Sequence, residues 1–162
     1  MDIYVAICSL FISIIALGLS VYFWKRSFRP IITVMVKTYS GGNELTAYNL
    51  EILNSGTLPA KNIALTTLDT SIKNALGKDS NDENKHRWLS CFEPDNIILI
   101  LQNNEKIRCS FGTTKKNDEG FWKYKSKIKI AITYEGWFRK RYHENQEIQI
   151  IDSESFTGHF WK

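Results

Sequence analysis

Apolar positions change their spacing once along this chain, near Pro30, and that change divides it into two parts. From Ile3 to Trp24 no residue carries a formal charge, and twelve of these 22 positions are Ile, Leu, Val or Phe. At about 1.5 Å per residue, a helix of that length reaches roughly 33 Å, enough for a hydrocarbon core of about 30 Å. Residues 1–24 are therefore expected to form a transmembrane helix. After Pro30 the apolar residues fall at every second position. The runs are Ile32, Val34 and Val36; Tyr48, Leu50 and Ile52; Ile63 and Leu65; the short apolar stretch Ile97–Leu101; Ile107, Cys109 and Phe111; Ile128, Ile130, Ile132 and Tyr134; and Tyr142, Ile148 and Ile150. That period belongs to strands with one buried face. Turn-forming residues separate the runs, among them Ser40-Gly41-Gly42-Asn43, Asn54-Ser55-Gly56, Asn117-Asp118-Glu119-Gly120 and Glu135-Gly136.

About seven strands in some 120 residues, with no long amphipathic helix among them, predict an all-β domain. The expected fold is a seven-stranded antiparallel immunoglobulin-like sandwich over residues 31–151, preceded by one N-terminal transmembrane helix. A small closed barrel is the alternative. The disulfide and core tryptophan of antibody domains are not expected, because neither the second nor the sixth strand carries a cysteine. Residues 25–30 read as a basic juxtamembrane linker and 152–162 as an aromatic tail. Phe156, Phe160 and Trp161 in that tail would dock on the domain's own flank or on another subunit.

Charge sharpens the picture. The net charge is +4, but Lys25, Arg26 and Arg29 precede or adjoin Pro30 against a single Asp2, leaving 18 basic and 16 acidic residues beyond it. A near-neutral body excludes a strongly basic nucleic-acid-binding chain and an acidic disordered tail. Three scattered cysteines exclude a disulfide scaffold. A secretory signal wants a basic start and a small-residue cleavage site, whereas this segment begins Met1-Asp2 and ends in the bulky belt Tyr22-Phe23-Trp24 before its positive charges. Positive residues favour the cytoplasmic flank of a span, so the N-terminus is expected outside and residues 25–162 in the cytoplasm, with Cys91 and Cys109 as reduced thiols. Ala6, Ser9, Ser13, Ala16 and Ser20 are spaced 3, 4, 3 and 4 apart and share one helix face. Small residues at such a seam suit self-association or docking to a partner membrane protein.

The stretch Leu50-Glu-Ile-Leu-Asn-Ser-Gly-Thr-Leu-Pro-Ala-Lys-Asn-Ile63 resembles the L-x-I-x-N-x-G-x-x-P-A-x-N-I signature of bacterial Ig-like domains, and Leu101-Gln-Asn-Asn-Glu-Lys-Ile107 is similar to their L-x-P-G-E-x-I segment, with Asn103-Asn104 in place of Pro-Gly. The layout resembles small bacterial single-pass membrane proteins with one Ig-like domain, mostly of unknown function. The resemblance covers roughly residues 31–151 and implies a fold and a bacterial inner membrane rather than an activity.

If odd strands run away from the bilayer, the loops Asn54–Ala60, Gln102–Glu105 and Glu135–Arg141 return to it. Trp24, Lys25, Arg26, Arg29, Trp137, Phe138, Arg139, Lys140 and Arg141 then form the expected membrane interface, where aromatic rings partition and basic residues meet anionic headgroups. The far end would carry a long polar loop, Thr70–Arg87, and the loop Gly112–Phe121 with Lys115 and Lys116. Lys125, Lys127 and Lys129 would form a ladder on one strand face, either solvated or open to a nucleotide or nucleic-acid phosphate. No Gly-x-Ser-x-Gly, Walker A, His-Glu-x-x-His or Cys-x-x-Cys pattern occurs. Neither catalysis nor a cofactor or metal is expected, and His86, Cys91 and Cys109 would make a metal site only by an accident of folding. Two functions fit. One is a membrane-anchored binding or scaffolding module; the other is an oligomerising, membrane-perturbing effector or exclusion factor, as in antiviral defence, triggered by a ligand on the sandwich.

Overall fold

A computed structural model of the chain describes residues 2–42 and 44–153, with only the backbone of Asp2 and Phe138 described. The first element, α1, runs Asp2–Ser27, so Lys25 and Arg26 continue the helix where the linker was expected to begin. It ends just before Pro30, whose ring disfavours a helical residue ahead of it. Its 26 residues reach roughly 39 Å, and the stretch Ile3–Ser27 is long and apolar enough to cross a membrane. Every residue from Ile3 to Ser27 is exposed, Phe11 and Leu17 at 62% and 67%.

The strands are β1 (Ile32–Gly41), β2 (Leu45–Asn54), β3 (Ala60–Thr67), β4 (Ile98–Leu101), β5 (Lys106–Lys115), β6 (Lys127–Glu135) and β7 (Arg141–Gln149). All neighbours pair antiparallel, in a three-stranded sheet ordered β1-β2-β5 and a four-stranded sheet ordered β4-β3-β6-β7. The alternate residues of the period-two runs make one shared core: Ile32, Leu50, Ile52 and Phe111 from the first sheet face Ile63, Leu65, Ile128, Ile130 and Ile132 from the second. Each sheet thus buries one face on the other, and the polar alternates are left outside.

The two flanks between the sheets close differently. At the β1/β7 flank, Gln146 substitutes for a strand: Val34 N–H donates to its Oε1 at 3.0 Å, and its Nε2 donates to the Ile32 carbonyl at 2.9 Å. Thr38 and Ser153 exchange a further reciprocal pair of bonds, both 3.0 Å. At the β4/β5 flank, β4 has four residues against ten in β5, and packing comes from the preceding connection.

That connection is not the polar loop expected over Thr70–Arg87. It folds into α2 (Asp69–Ala75), α3 (Asp82–Trp88) and a 3-10 turn, Ser90–Phe92. Ala75 is fully buried, and Leu76, Trp88, Leu89, Cys91 and Phe92 pack on the core. Seven-residue helices are too short for a 3.6-residue period to show, and the apolar residues here bunch at the helix ends. Asn81 marks the start of α3, its side chain accepting from Asn84 N–H at 2.8 Å, which is N-cap chemistry.

A core tryptophan is present, but not on a strand. Trp122 lies on the β5–β6 connection, fully buried, with its indole N–H donating to the Phe111 carbonyl. Its ring sits 4.9 Å from Phe111 and 4.7 Å from Phe121. Gly112, at φ 78°, lies against these rings; a Cβ there would come within 2.8 Å of Phe121. Of the expected aromatic tail, Phe156, Phe160 and Trp161 lie outside the described residues.

Candidate functional site: a basal pocket between helix and domain

The site begins with a turn. Asn54, fully buried at the end of β2, accepts at Oδ1 from Gly56 N–H (3.0 Å) and Ile31 N–H (3.3 Å), and donates from Nδ2 to the carbonyls of Leu58 (2.8 Å) and Leu101 (3.1 Å). One amide therefore joins the start of β1, the β2–β3 turn and the end of β4. Its backbone also bonds Glu105 and Asn104. The same turn grips the chain leaving α1: Ser55 N–H donates to Ile31 O at 2.9 Å and Thr57 N–H to Arg29 O at 3.1 Å. Gly56 is required for this approach, because a Cβ would stand 2.4 Å from the Arg29 carbonyl and the Ile31 nitrogen.

Beside this junction is a cavity of about 480 Å³ lined by Trp24, Lys25, Phe28, Pro30, Leu58, Trp137, Lys140 and Tyr142. The last turn of α1 supplies Trp24, and Phe28 follows directly after the helix, their ring centroids 5.4 Å apart. Tyr142 stacks on Tyr134 at 5.1 Å, and the Lys140 ammonium stands 5.2 Å above the Tyr142 ring. The Tyr134 hydroxyl donates to Glu144 at 2.7 Å and lies 3.2 Å from the Pro30 carbonyl. Burial, then the Glu144 carboxylate, pushes its titration upward, so it stays a neutral donor. The resulting pocket has aromatic walls and two ammonium groups, the chemistry that receives an amphiphile with an anionic end.

The expected interface residues are thus divided. Trp24, Lys25, Trp137 and Lys140 meet in the pocket. Arg141 turns aside to Glu135, with Nε donating to Oε1 at 3.1 Å. Arg139 is exposed at φ 55°, and the Phe138 side chain lies outside the described residues. Arg26 is exposed on α1, and Arg29 is half-buried at the junction. On the helix face of Ala6, Ser9, Ser13, Ala16 and Ser20, Ser9 donates to the Ala6 carbonyl and Ser13 to that of Ser9, both at 2.8 Å.

The lysine ladder does not form as expected. β6 begins at Lys127; Lys125 precedes it in a turn at φ 61°, with its ammonium 5.6 Å over the Tyr124 ring. A left-handed residue breaks the alternation a ladder needs. Lys127 pairs with Glu147 at 2.8 Å, while Lys129 lines a separate concavity on the outer face of the four-stranded sheet. Lys115 and Lys116 line another, at the far end of the domain, in company with Glu44 and Asp118. Among the described residues, no three His, Cys, Asp or Glu side chains gather as a metal site. His86 is exposed and pairs with Glu93 at 3.0 Å.

On the outer face of β2, Glu51 is covered by Arg108 (Nε–Oε2 2.7 Å) and Lys106 (3.7 Å). The Arg108 hydrogen bond holds its carboxyl below the ordinary value of 4.5. The folded chain therefore binds this proton less readily than the unfolded one. Its contribution is complete above about pH 4.5 and disappears as pH falls through the lower folded value. Urea midpoints measured from pH 7 to pH 3 are expected to fall less for Glu51→Gln than for the wild type; parallel slopes would exclude this ion pair as a source of acid sensitivity.

The fold and this junction define a protein in which one helix, able by length and composition to cross a bilayer, carries a two-sheet antiparallel β-domain. The family described as domain of unknown function (DUF8453) matches residues 3–155, helix and domain together, and the chain belongs to that family. No curated protein and no solved structure matches the chain.

Proposed function

We propose that this chain is a membrane-anchored, non-enzymatic binding and scaffolding module of a bacterial inner membrane, with its N-terminus outside and an immunoglobulin-like sandwich held in the cytoplasm. The sheet orders β1-β2-β5 and β4-β3-β6-β7 support the immunoglobulin-like reading, and Lys25 and Arg26 at the end of α1 support the orientation. The observation that carries the reading is the basal pocket: it joins the last turn of the helix to the β6–β7 tip, so a helix set in the bilayer holds Trp137 and Lys140 at headgroup level. The module acts by presenting its far end and sheet faces at a fixed height and tilt, and a partner is recruited there.

Hydrogen exchange of the full chain in nanodiscs tests this. With phosphatidylglycerol present, residues 136–141 are expected to exchange about fivefold more slowly than in phosphatidylcholine alone, since each basic residue near an anionic surface contributes about 1 kcal/mol. The double variant W137A/K140A is expected to lose the difference. Equal exchange of the wild type in both lipids would overturn the basal contact.

A further inference from the structure

Cys91 and Cys109 are far apart in the chain and are brought together at the β4/β5 flank. Cys91 sits in the 3-10 turn Ser90–Phe92. Cys109 lies on β5 opposite Leu50, and its thiol reaches the Leu50 carbonyl at 3.8 Å. The two thiols are near enough to shift each other's titration. Both line a cavity of about 280 Å³ between the sheets, with Ile52, Ile63, Ile97 and Ile107 around them. Both are half-buried rather than sealed, so a small reagent can reach them. A metal would need further ligands, and His86, the nearest in sequence, is turned to Glu93.

We propose that Cys91 and Cys109 form a thiol–disulfide switch whose oxidant is a low-molecular-weight disulfide such as oxidised glutathione. The neighbouring Cys91 thiol lowers the titration of Cys109, while the Cys109 thiol and then burial raise that of Cys91, so Cys109 ionises first and attacks. Its thiolate forms a bond to one glutathione sulfur as the glutathione S–S bond breaks, and the second glutathione leaves as a thiolate that takes up the Cys109 proton. Cys91 then attacks the mixed disulfide at Cys109, loses its proton to solvent and displaces the remaining glutathione thiolate, which is protonated in turn. Two protein thiols are oxidised to one disulfide, and one glutathione disulfide is reduced to two thiols. The new bond fastens the β3–β4 connection to β5. It clamps the β4/β5 flank, where Ile97, Leu99 and Ile100 are exposed on and beside the β4 edge. Gln146 and Ser153 hold the opposite flank in either state, so oxidation acts on one flank alone. The compartment's glutathione poise sets how often the bond forms, and in a reducing cytoplasm the pair rests as two thiols.

The full chain in nanodiscs, incubated with oxidised glutathione, is expected to lose two hydrogens from its intact mass. Non-reducing peptide mapping should then show Cys91 joined to Cys109. In the same sample, hydrogen exchange over residues 88–101 is expected to slow about tenfold, as a cross-link across a loop restricts local opening, and to recover with a dithiol reductant. Cys91→Ser is expected to stop at a glutathione adduct on Cys109. Unlinked cysteines in the wild type, adducts on both thiols at once, or unchanged exchange after linkage would each overturn the proposal, and these wild-type readouts stand even if the variant does not fold.

Discussion

Asn54→Ala is expected to lower the unfolding free energy of the β-domain by about 3 kcal/mol or more, an effect out of proportion to the few atoms removed. The alanine leaves Gly56 N–H, Ile31 N–H and the carbonyls of Leu58 and Leu101 without the partner that Asn54 supplies. Asn54 is fully buried, so water does not replace the amide where it stood, and an unpaired buried polar group costs roughly 1–3 kcal/mol. The four losses are not additive, because the turn relaxes as a unit. The variant should also release the chain between α1 and β1, which the same turn holds. Urea unfolding of the full chain in detergent, followed by tryptophan fluorescence, gives the magnitude; a loss below about 1 kcal/mol would show that the turn keeps its shape without the amide.

Trp122→Ala is expected to destabilise by about 3–5 kcal/mol, the range for deleting a fully buried large aromatic side chain. The rings of Phe111 and Phe121 would face the cavity, and the Phe111 carbonyl would lose its donor. Trp122→Phe refills most of the space but not the hydrogen bond, so it should cost about 1–2 kcal/mol. The damage should also spread in a defined direction. Leu76 forms a bridge with Trp122, Lys123 N–H donates to the Ala75 carbonyl at 2.8 Å, and Gly77 N–H donates to that of Phe121 at 2.7 Å. The alanine variant is therefore expected to speed hydrogen exchange through α2 before it affects β6 and β7. Calorimetric unfolding and exchange together check this, and an equal rise across both sheets would contradict it.

What could be read in advance follows from how far along the chain each interaction reaches. Strands β1, β2, β5 and β6 bury one face against the other sheet, and alternation records that burial locally. The helices of the β3–β4 connection bury single residues such as Ala75 and Trp88 against distant strands, so no period marks them. The roles of Asn54 and Gly56 were half legible: a turn was evident, but its grip on residues 27–31 depends on a contact between segments remote in sequence. The basic cluster at 139–141 looked uniform, yet Glu135 draws Arg141 away and leaves Lys140 to the pocket.

By itself, the sequence determined that an uncharged stretch of membrane length, Ile3 to Trp24, precedes a β-domain, because hydrophobic length and strand alternation are properties of neighbouring residues. Only the tertiary structure decided that four of the expected interface residues share one pocket, that the lysine ladder is interrupted, and that Cys91 lies against Cys109. Those outcomes depend on sheet register, a left-handed turn and the path of one connection. Each arises from packing between segments far apart in the chain, where local pattern carries no record of the partner.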